Sequence, residues 1–459
     1  MRAKKGISRR TFLDVSLKSG AAFALQPLMH GFAGSAVSES KPNILFIITD
    51  QQGLETLSAL QNPFVHTPNE DRLKKRGVTF TRSYSVNPVC SPARSSMFTG
   101  RMSSETGVVH NGLPIRAGIP NLGQWLAQFG YETVYVGKWH LPDGYATRIP
   151  GFKVLPGGIY LRGTVGDRTV SMASEAFLRH YEGKKPFFMV ASFLQPHDVC
   201  GWIRRNARPL ETWPFPEIEA ALPPLPPNFD ALLKEAKRAK IARMPEWNER
   251  NWRYYLWSYY RMVEEADREL GRVLDALEAS RFARNTLVIF TSDHGEGRAR
   301  HRTVLKNFLY EEAVNVPLIV SFPGRVAENK TDERHLVSGA DITPTVCDFA
   351  GVPAPPNQRG LSLKPILTGK EVPWREFVVS EVMHDYGRMI RTDRFKLITY
   401  RDDPVIQFFD LKADPWETHN LAGETRYAAQ LKELVRMLES WEKRLDFAPN
   451  ALGPFTVRM

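Results

Sequence analysis

The sequence predicts an α/β fold, a large mixed and mainly parallel sheet sandwiched by helices, followed by a small C-terminal antiparallel sheet with one helix. Three observations predict it. Four apolar runs rich in β-formers recur between Asn43 and Ser292, and each ends in a polar cluster. Helical patterns lie between these runs. After Pro373 the pattern changes to short strands separated by turns.

Asn43 to Thr49 leads into Asp50-Gln51-Gln52, and Thr133 to Val136 into Gly137-Lys138-Trp139-His140. Phe187 to Phe193 leads into Gln195-Pro196-His197, and Leu287 to Ser292 into Asp293-His294-Gly295. Unbroken apolar runs read as strands buried on both faces, as in a parallel sheet. Helices are expected over Leu122 to Phe129, Val170 to Tyr181 and Tyr260 to Ala279. Ligands of such sheets bind beyond the carboxyl ends of the strands. All four polar clusters fall there, so distant parts of the chain build one site.

The stretch from Trp202 to about Tyr255 interrupts the alternation with Pro209, Pro214, Pro216, Pro223, Pro224, Pro226 and Pro227. Proline at this density predicts a long ordered loop. The aromatics Trp247, Trp252, Tyr254, Tyr255, Trp257, Tyr259 and Tyr260 could stack on sugar rings; packing against the protein's own body is the favoured reading. Further on, Phe377 to Val382, Arg388 to Arg391, Phe395 to Tyr400 and Gln407 to Leu411 read as short strands. A helix is expected from Thr425 to Arg444, with Leu431, Leu434, Val435, Leu438 and Trp441 at helical spacing. The chain therefore divides into a main domain, 41–375, and a C-terminal subdomain, 376–459.

Composition sets limits. Charged residues at 24% and aromatics at 11% exclude wholesale disorder, and three cysteines exclude a disulfide framework or a zinc cluster. The chain has 61 Lys and Arg against 50 Asp and Glu. Residues 1–36 hold six bases and one acid, so they carry +5 of the formal +11. The remaining mild basicity fits an anionic substrate or ordinary solvated charge. No basic stripe of the nucleic-acid type is present. The longest uncharged stretch, Ser19 to Ser38, is broken by Gln26, Pro27 and His30, so no stable membrane insertion is expected.

The N-terminus reads basic, then apolar, then small: Ser8-Arg9-Arg10-Thr11-Phe12-Leu13, Val15 to Phe32, and Ala33-Gly34-Ser35-Ala36. That is the order of a signal peptide. The paired arginines before Phe12-Leu13 resemble a twin-arginine signal, which implies the twin-arginine export machinery and a periplasmic or secreted protein. A general secretory signal or a basic disordered tail is the alternative.

Most of the chemistry is announced by Cys90-Ser91-Pro92-Ala93-Arg94-Ser95-Ser96-Met97-Phe98-Thr99-Gly100-Arg101. Ser91 is placed to cap a helix, Pro92 suits the first turn and Gly100 ends it. Cys90 then lies at a helix N-terminus, where free N–H groups favour anions and lower a thiol's pKa. A buried structural cysteine would not need this polar, arginine-bearing setting.

This segment resembles the signature of the type I, formylglycine-dependent sulfatases in the alkaline phosphatase superfamily. The resemblance runs from Lys41-Pro42-Asn43 to His419-Asn420-Leu421, through Val316-Pro317-Leu318-Ile319, Asp341-Ile342-Thr343-Pro344-Thr345 and Asp414-Pro415. It implies an exported sulfuric ester hydrolase acting on a sulfated sugar or glycan. By the same resemblance a maturation enzyme would convert Cys90 to formylglycine. A hydroxyl of the hydrated aldehyde would attack sulfur, and the second hydroxyl would let sulfate leave. Asp50, Asp293 and residue 90 would hold one divalent cation, calcium by the family pattern. Lys138 and Lys306 would neutralise the sulfuryl group, with Lys306 placed by the Tyr310-Glu311-Glu312 that follows it. Arg94 would hold the nucleophile's hydroxyls. His140 would take a proton during elimination, and His197 would give one to the departing alcohol. His301 lies nearby without an assigned role. His384, Asp385 and Arg388 are the expected substrate contacts.

Two positions depart from the family pattern. Gln51 replaces a frequent second aspartate, and His294 replaces a frequent asparagine, so both enter the expected metal set and shift it toward tolerance of manganese. The Asp-His pairing also occurs in relatives that hydrolyse phosphonate monoesters and phosphodiesters, which is the alternative activity. A sulfate-ester-binding protein with a dead site is disfavoured, because every position expected to do chemistry holds a competent residue.

Overall fold

Strand β1 (Asn43–Asp50) occupies the middle of an eight-stranded sheet, and its side chains account for the layers on either side. Ile44, Phe46 and Ile48 join one apolar core with Phe188, Val190, Leu287 and Ile289. Leu45 and Ile47 point the other way, into a second core with Met189, Ala191, Val288 and Phe290. Period-two alternation with apolar residues on both faces forces a helical layer on each side. The structure is a computed structural model that describes residues 41–459 except 160–161, 210–214, 383, 455–456 and 458–459; the expected leader over 1–36 lies outside the described residues.

The remaining strands are β2 (Val78–Phe80), β3 (Glu132–Gly137), β4 (Lys153–Val154), β5 (Phe187–Pro196), β6 (Thr286–Ser292), β7 (Leu318–Ser321) and β8 (Lys330–Asp332). Their order across the sheet is β8-β2-β7-β6-β1-β5-β3-β4. All neighbours run parallel except β7, which is antiparallel to both β6 and β2. Register positions the site. Thr49 pairs with Ser292, so Asp50 and Asp293 leave adjacent strands side by side.

Helices α1 (Cys90–Thr99), α2 (Leu122–Gln128) and α5 (Ile342–Ala350) cover the first core with Met97, Phe98, Leu122, Leu126, Ile342 and Val346. Helices α3 (Gly163–His180) and α4 (Glu249–Glu278) cover the second with Val170, Leu178, Leu270, Val273 and Leu274. One expectation needs correction. Helix α4 starts at Glu249, not near Tyr260, so Trp252, Tyr254 and Tyr255 are helical. Asn248 caps it by accepting from the Asn251 N–H at 3.1 Å. Trp252, Tyr255, Leu256 and Tyr259 then recur at helical spacing and are all buried. Short helices Val199–Arg205 and Pro216–Ala221 also interrupt the expected loop. The aromatics pack on one another, Trp247 against Trp252 at 4.9 Å between ring centres.

Strands β9 (Val378–Val382), β10 (Gly387–Arg391), β11 (Phe395–Tyr400) and β12 (Gln407–Asp410) form the antiparallel C-terminal sheet in sequence order. Helix α6 (Ala428–Glu442) lays Leu434, Val435 and Leu438 on Ile390, Leu397 and Phe408. The opposite face, with Met389, Ile398 and Phe409, packs on Tyr310, Ala313 and Val314. Residues 41–459 thereby form a single compact unit.

Candidate active site

Helix α1 starts at Cys90 behind an extended Val89, and no side chain caps it. Ser91 therefore does not act as the expected cap. Its hydroxyl donates to the His140 carbonyl at 2.6 Å, and its N–H donates to Asn111 Oδ1 at 2.9 Å. Gly100 closes the helix at φ 69°, where a Cβ would lie 1.6 Å from Gln358 Oε1. Every residue of α1 is buried. Gly137, at φ 98°, ends β3 against the Ser192 carbonyl, 2.0 Å from where a Cβ would be, and so delivers Lys138 to the sheet edge.

Charges from four strand ends and α1 meet here. The Arg94 guanidinium donates to Asp293 Oδ2 at 2.9 Å, Asp50 Oδ2 at 3.1 Å, the Lys138 carbonyl at 2.8 Å and Ser192 Oγ at 2.8 Å. Lys138 Nζ lies 2.6 Å from Asp50 Oδ2. Cys90 Sγ is 3.2 Å from His294 Nε2 and 3.7 Å from Asp50 Oδ1. His294 Nδ1 bonds the Gly295 carbonyl at 2.9 Å, so Nδ1 carries the proton and the Nε2 lone pair faces Cys90. Ligand atoms of Asp50, Cys90, Asp293 and His294 all lie within 4.8 Å of one another.

The electrostatics follow from this packing. Burial works against the Asp50 carboxylate, but Lys138 and Arg94 outweigh it and hold the group well below the usual range. Burial and the Asp50 charge push Asp293 up to about 7. Burial and Asp50 resist ionisation of Cys90, yet Lys138, Lys306 and His294 bring the thiol well below its usual value. Burial works against the His294 cation too, but Asp293 and Cys90 raise its affinity for a proton. Asp293 and His294 thus attract positive charge because anions face them. Two carboxylates and an oriented imidazole also suit a divalent cation, which supplies the same compensation. His197 is 8% exposed, and burial with Lys138 and Lys306 holds it well below its usual value, so it is neutral at pH 7.

Comparison with known proteins gives the family. A family model described as sulfatase matches residues 42–352, and one described as the N-sulphoglucosamine sulphohydrolase C-terminal region matches residues 299–444. The chain belongs to the sulfatase family. It is 30% identical to a Δ4,5-hexuronate-2-O-sulfatase of Bacteroides thetaiotaomicron, over 89% of this chain and 90% of that one. Identity to an N-acetylglucosamine-6-O-sulfatase of the same organism is 28%, over 93% and 92% of the two chains. The solved structure of a glycosaminoglycan 2-O-sulfatase superposes with a TM-score of 0.79 at 30% identity, over 88% of this chain and 92% of that one. Sulfatases use a metal ion, and the four-donor cluster of this sulfatase could hold one.

Lys306 reaches the cluster from a loop where Leu305 and Asn307 both take positive φ, 68° and 80°. Its Nζ bonds Gln51 Oε1 and lies 3.7 Å from Cys200 Sγ. Gln51 Nε2 in turn donates to Glu296, which also accepts from Tyr255 OH and the Leu305 N–H. The side chain of Gln51, expected as a metal ligand, is thus bonded to Lys306 and Glu296 instead. Sequence reasoning missed Glu296, Ser192 and Cys200 and took Tyr255 only as a packing aromatic; Glu296, two residues after His294, was the nearest of them in sequence to a recognised site residue. His140 stands at φ 64° with its backbone tied to Ser91.

The substrate-contact expectation is corrected in part. Arg388 and Asp385 bond each other inside the C-terminal sheet, where Arg388 also pairs with Glu442 and neither residue is exposed. Polar groups so enclosed cannot meet a substrate. His384 is exposed and meets His110 in a tilted ring contact, 4.8 Å between centres, lining a cavity that Lys306 shares. His301, unassigned from sequence, is buried. Its Nδ1 bonds the Ala231 carbonyl at 2.8 Å, Asn228 meets its Nε2 at 3.1 Å, and its ring stacks on Tyr310 at 4.4 Å. It braces the loop that carries Lys306.

Proposed function

We propose that this sulfatase is exported and removes sulfate from a sulfated sugar or glycan, with residue 90 as a formylglycine nucleophile beside one divalent cation. The observation that carries this reading is the placement of Cys90 at the start of α1, 3.2 Å from His294 and 3.7 Å from Asp50, under two lysines. Asp50, Asp293, His294 and residue 90 are the proposed ligands of the ion, calcium with manganese tolerated. When present, the ion polarises the sulfate oxygens, and formylglycine supplies the attacking hydroxyl.

The chain's own groups do the rest. Lys138 and Lys306 face the sulfuryl oxygens and neutralise them as charge develops. Arg94 holds both aspartates and, through Asp293 and Asp50, the geometry around residue 90. His197 is the proton donor to the departing alcohol oxygen. Its neighbours Lys138 and Lys306 keep it neutral, and an incoming anionic sulfate offsets them, so its proton affinity rises when substrate is present. His140 takes the proton whose loss releases sulfate.

Sulfated-sugar relatives support the substrate class. Phosphonate or phosphodiester hydrolysis has less support, since both curated relatives named above are sulfatases. Peptide mass spectrometry at residue 90, with metal content and turnover of sulfated saccharides measured on the same preparation, tests the reading. Active protein with only unmodified cysteine would sink it. Asp293→Asn should lose metal and turnover together; retention of either refutes the ligand set.

A further inference from the structure

A cavity of about 300 Å³ opens over the N-terminus of α1, with Lys306 at one side and His110, Asn111, Lys240 and His384 around it. It connects directly to the chemistry, because Lys306 reaches Gln51 and Asn111 holds the Ser91 N–H. Lys240 is a second cation in the same cavity, and the reaction proposed above does not use it. It is exposed, and among the described residues no ion pair joins it to a carboxylate.

The segment around Lys240 has one-sided charge. Lys234, Lys237, Arg238 and Lys240 are all exposed. The only acid among them, Glu235, turns inward, accepting from Arg243 at 3.0 Å, Tyr310 at 2.9 Å and Gln407 at 3.1 Å. Arg238 packs over the Tyr386 ring at 4.1 Å. Beside Lys240 the rings of His110 and His384 meet in a tilted contact, 4.8 Å between centres. His110 Nδ1 bonds the Asn111 carbonyl at 2.7 Å, so that nitrogen carries its proton. Burial, His110 and Lys240 lower the proton affinity of His384. A lysine is a point charge that accepts a carboxylate or a sulfate equally well.

We propose that Lys240, with the adjacent His110 and His384, forms a second anion subsite, so that the sugar held here carries a carboxylate or a further sulfate besides the ester that is cleaved. This rests on the sulfated-sugar reading and adds the charge of the sugar to it.

The test compares the full-length enzyme with Lys240→Gln and Lys240→Arg on four substrates. These are an aryl sulfate, a singly sulfated neutral sugar, a 2-O-sulfated uronate disaccharide and a disulfated glucosamine. For the doubly anionic sugars Lys240→Gln should raise KM about tenfold or more with kcat nearly unchanged, and Lys240→Arg should restore most of it. The aryl sulfate and the neutral sugar should not respond. The uronate and disulfate arms tell which anion the subsite takes. An equal effect on all four substrates, or none on any, overturns the proposal. Calorimetric binding of the desulfated uronate disaccharide separates the two readings. Wild type that turns over no sulfate ester defeats the proposed function, whereas equal binding by wild type and Lys240→Gln, with the disulfate arm also flat, defeats the subsite.

Discussion

Arg94 and Arg388 are both fully buried, and each is bonded to carboxylates, but one lies at the edge of the large sheet and the other inside the small one. Around Arg388 the carboxylates are closed. Glu381 also accepts from Ser103 Oγ at 2.5 Å and Ser104 Oγ at 2.6 Å, and Asp385 from the Leu452 N–H at 3.0 Å. Around Arg94 they are not closed. Asp50 and Asp293 still face a thiol, an imidazole and Lys138 across the mouth of the strand ends. Buried ion pairs alone are weak evidence of function. The difference is whether the acceptors have capacity left over, and whether that capacity points to a place a ligand can reach.

Three substitutions sharpen or break this contrast. Cys90→Ala should lower turnover at least about 10⁴-fold, worth about 5.5 kcal/mol of barrier, while thermal unfolding stays near wild type. Retained turnover would mean that the open cluster is not the reaction centre. Arg388→Met should do the reverse, costing about 3–5 kcal/mol of stability by leaving buried carboxylates unpaired. Denaturant titration measures the loss, and kcat per folded molecule should be unchanged; a selective fall in kcat would make Arg388 part of the site. Gln51→Ala has the smallest expected effect, about a tenfold fall in kcat from a less constrained Lys306, with metal content unchanged. Metal loss in that variant would return Gln51 to the ligand set.

The strand ends were legible because each core strand is an unbroken apolar run stopped by polar residues, and parallel topology then forces those stops together. Asp50, Lys138, His197 and Asp293 could be gathered that way. Glu296 and Ser192 could not, since their partners Gln51 and Arg94 are fixed by register and side-chain direction. The start of α4 was hidden by prolines a few turns upstream, although Trp252, Tyr255 and Tyr259 carry a helical period. Arg388 shows the opposite failure. In a short strand, period two separates the faces without saying which is inward, and its partner Glu442 lies on a helix 54 residues away. The chain as a whole is only mildly basic, and the run of Lys234, Lys237, Arg238 and Lys240 gained meaning once Glu235 was seen to turn away from it.

The burial of Cys90, 1% exposed on a helix with no exposed residue, sets a timetable for the cell. A small sulfate ester can enter by the mouth of the strand ends, but another enzyme that must enclose the side chain of residue 90 would find it walled in once the sheet and α1 have closed. If residue 90 is converted as proposed, the conversion has a deadline, the moment of folding, and a chain that folded first would stay inactive. If Arg9 and Arg10 direct it to a translocon that carries folded cargo, maturation, folding and export occur in that order, the first two on the cytoplasmic side. Supplying the maturation enzyme only outside the membrane would then come too late.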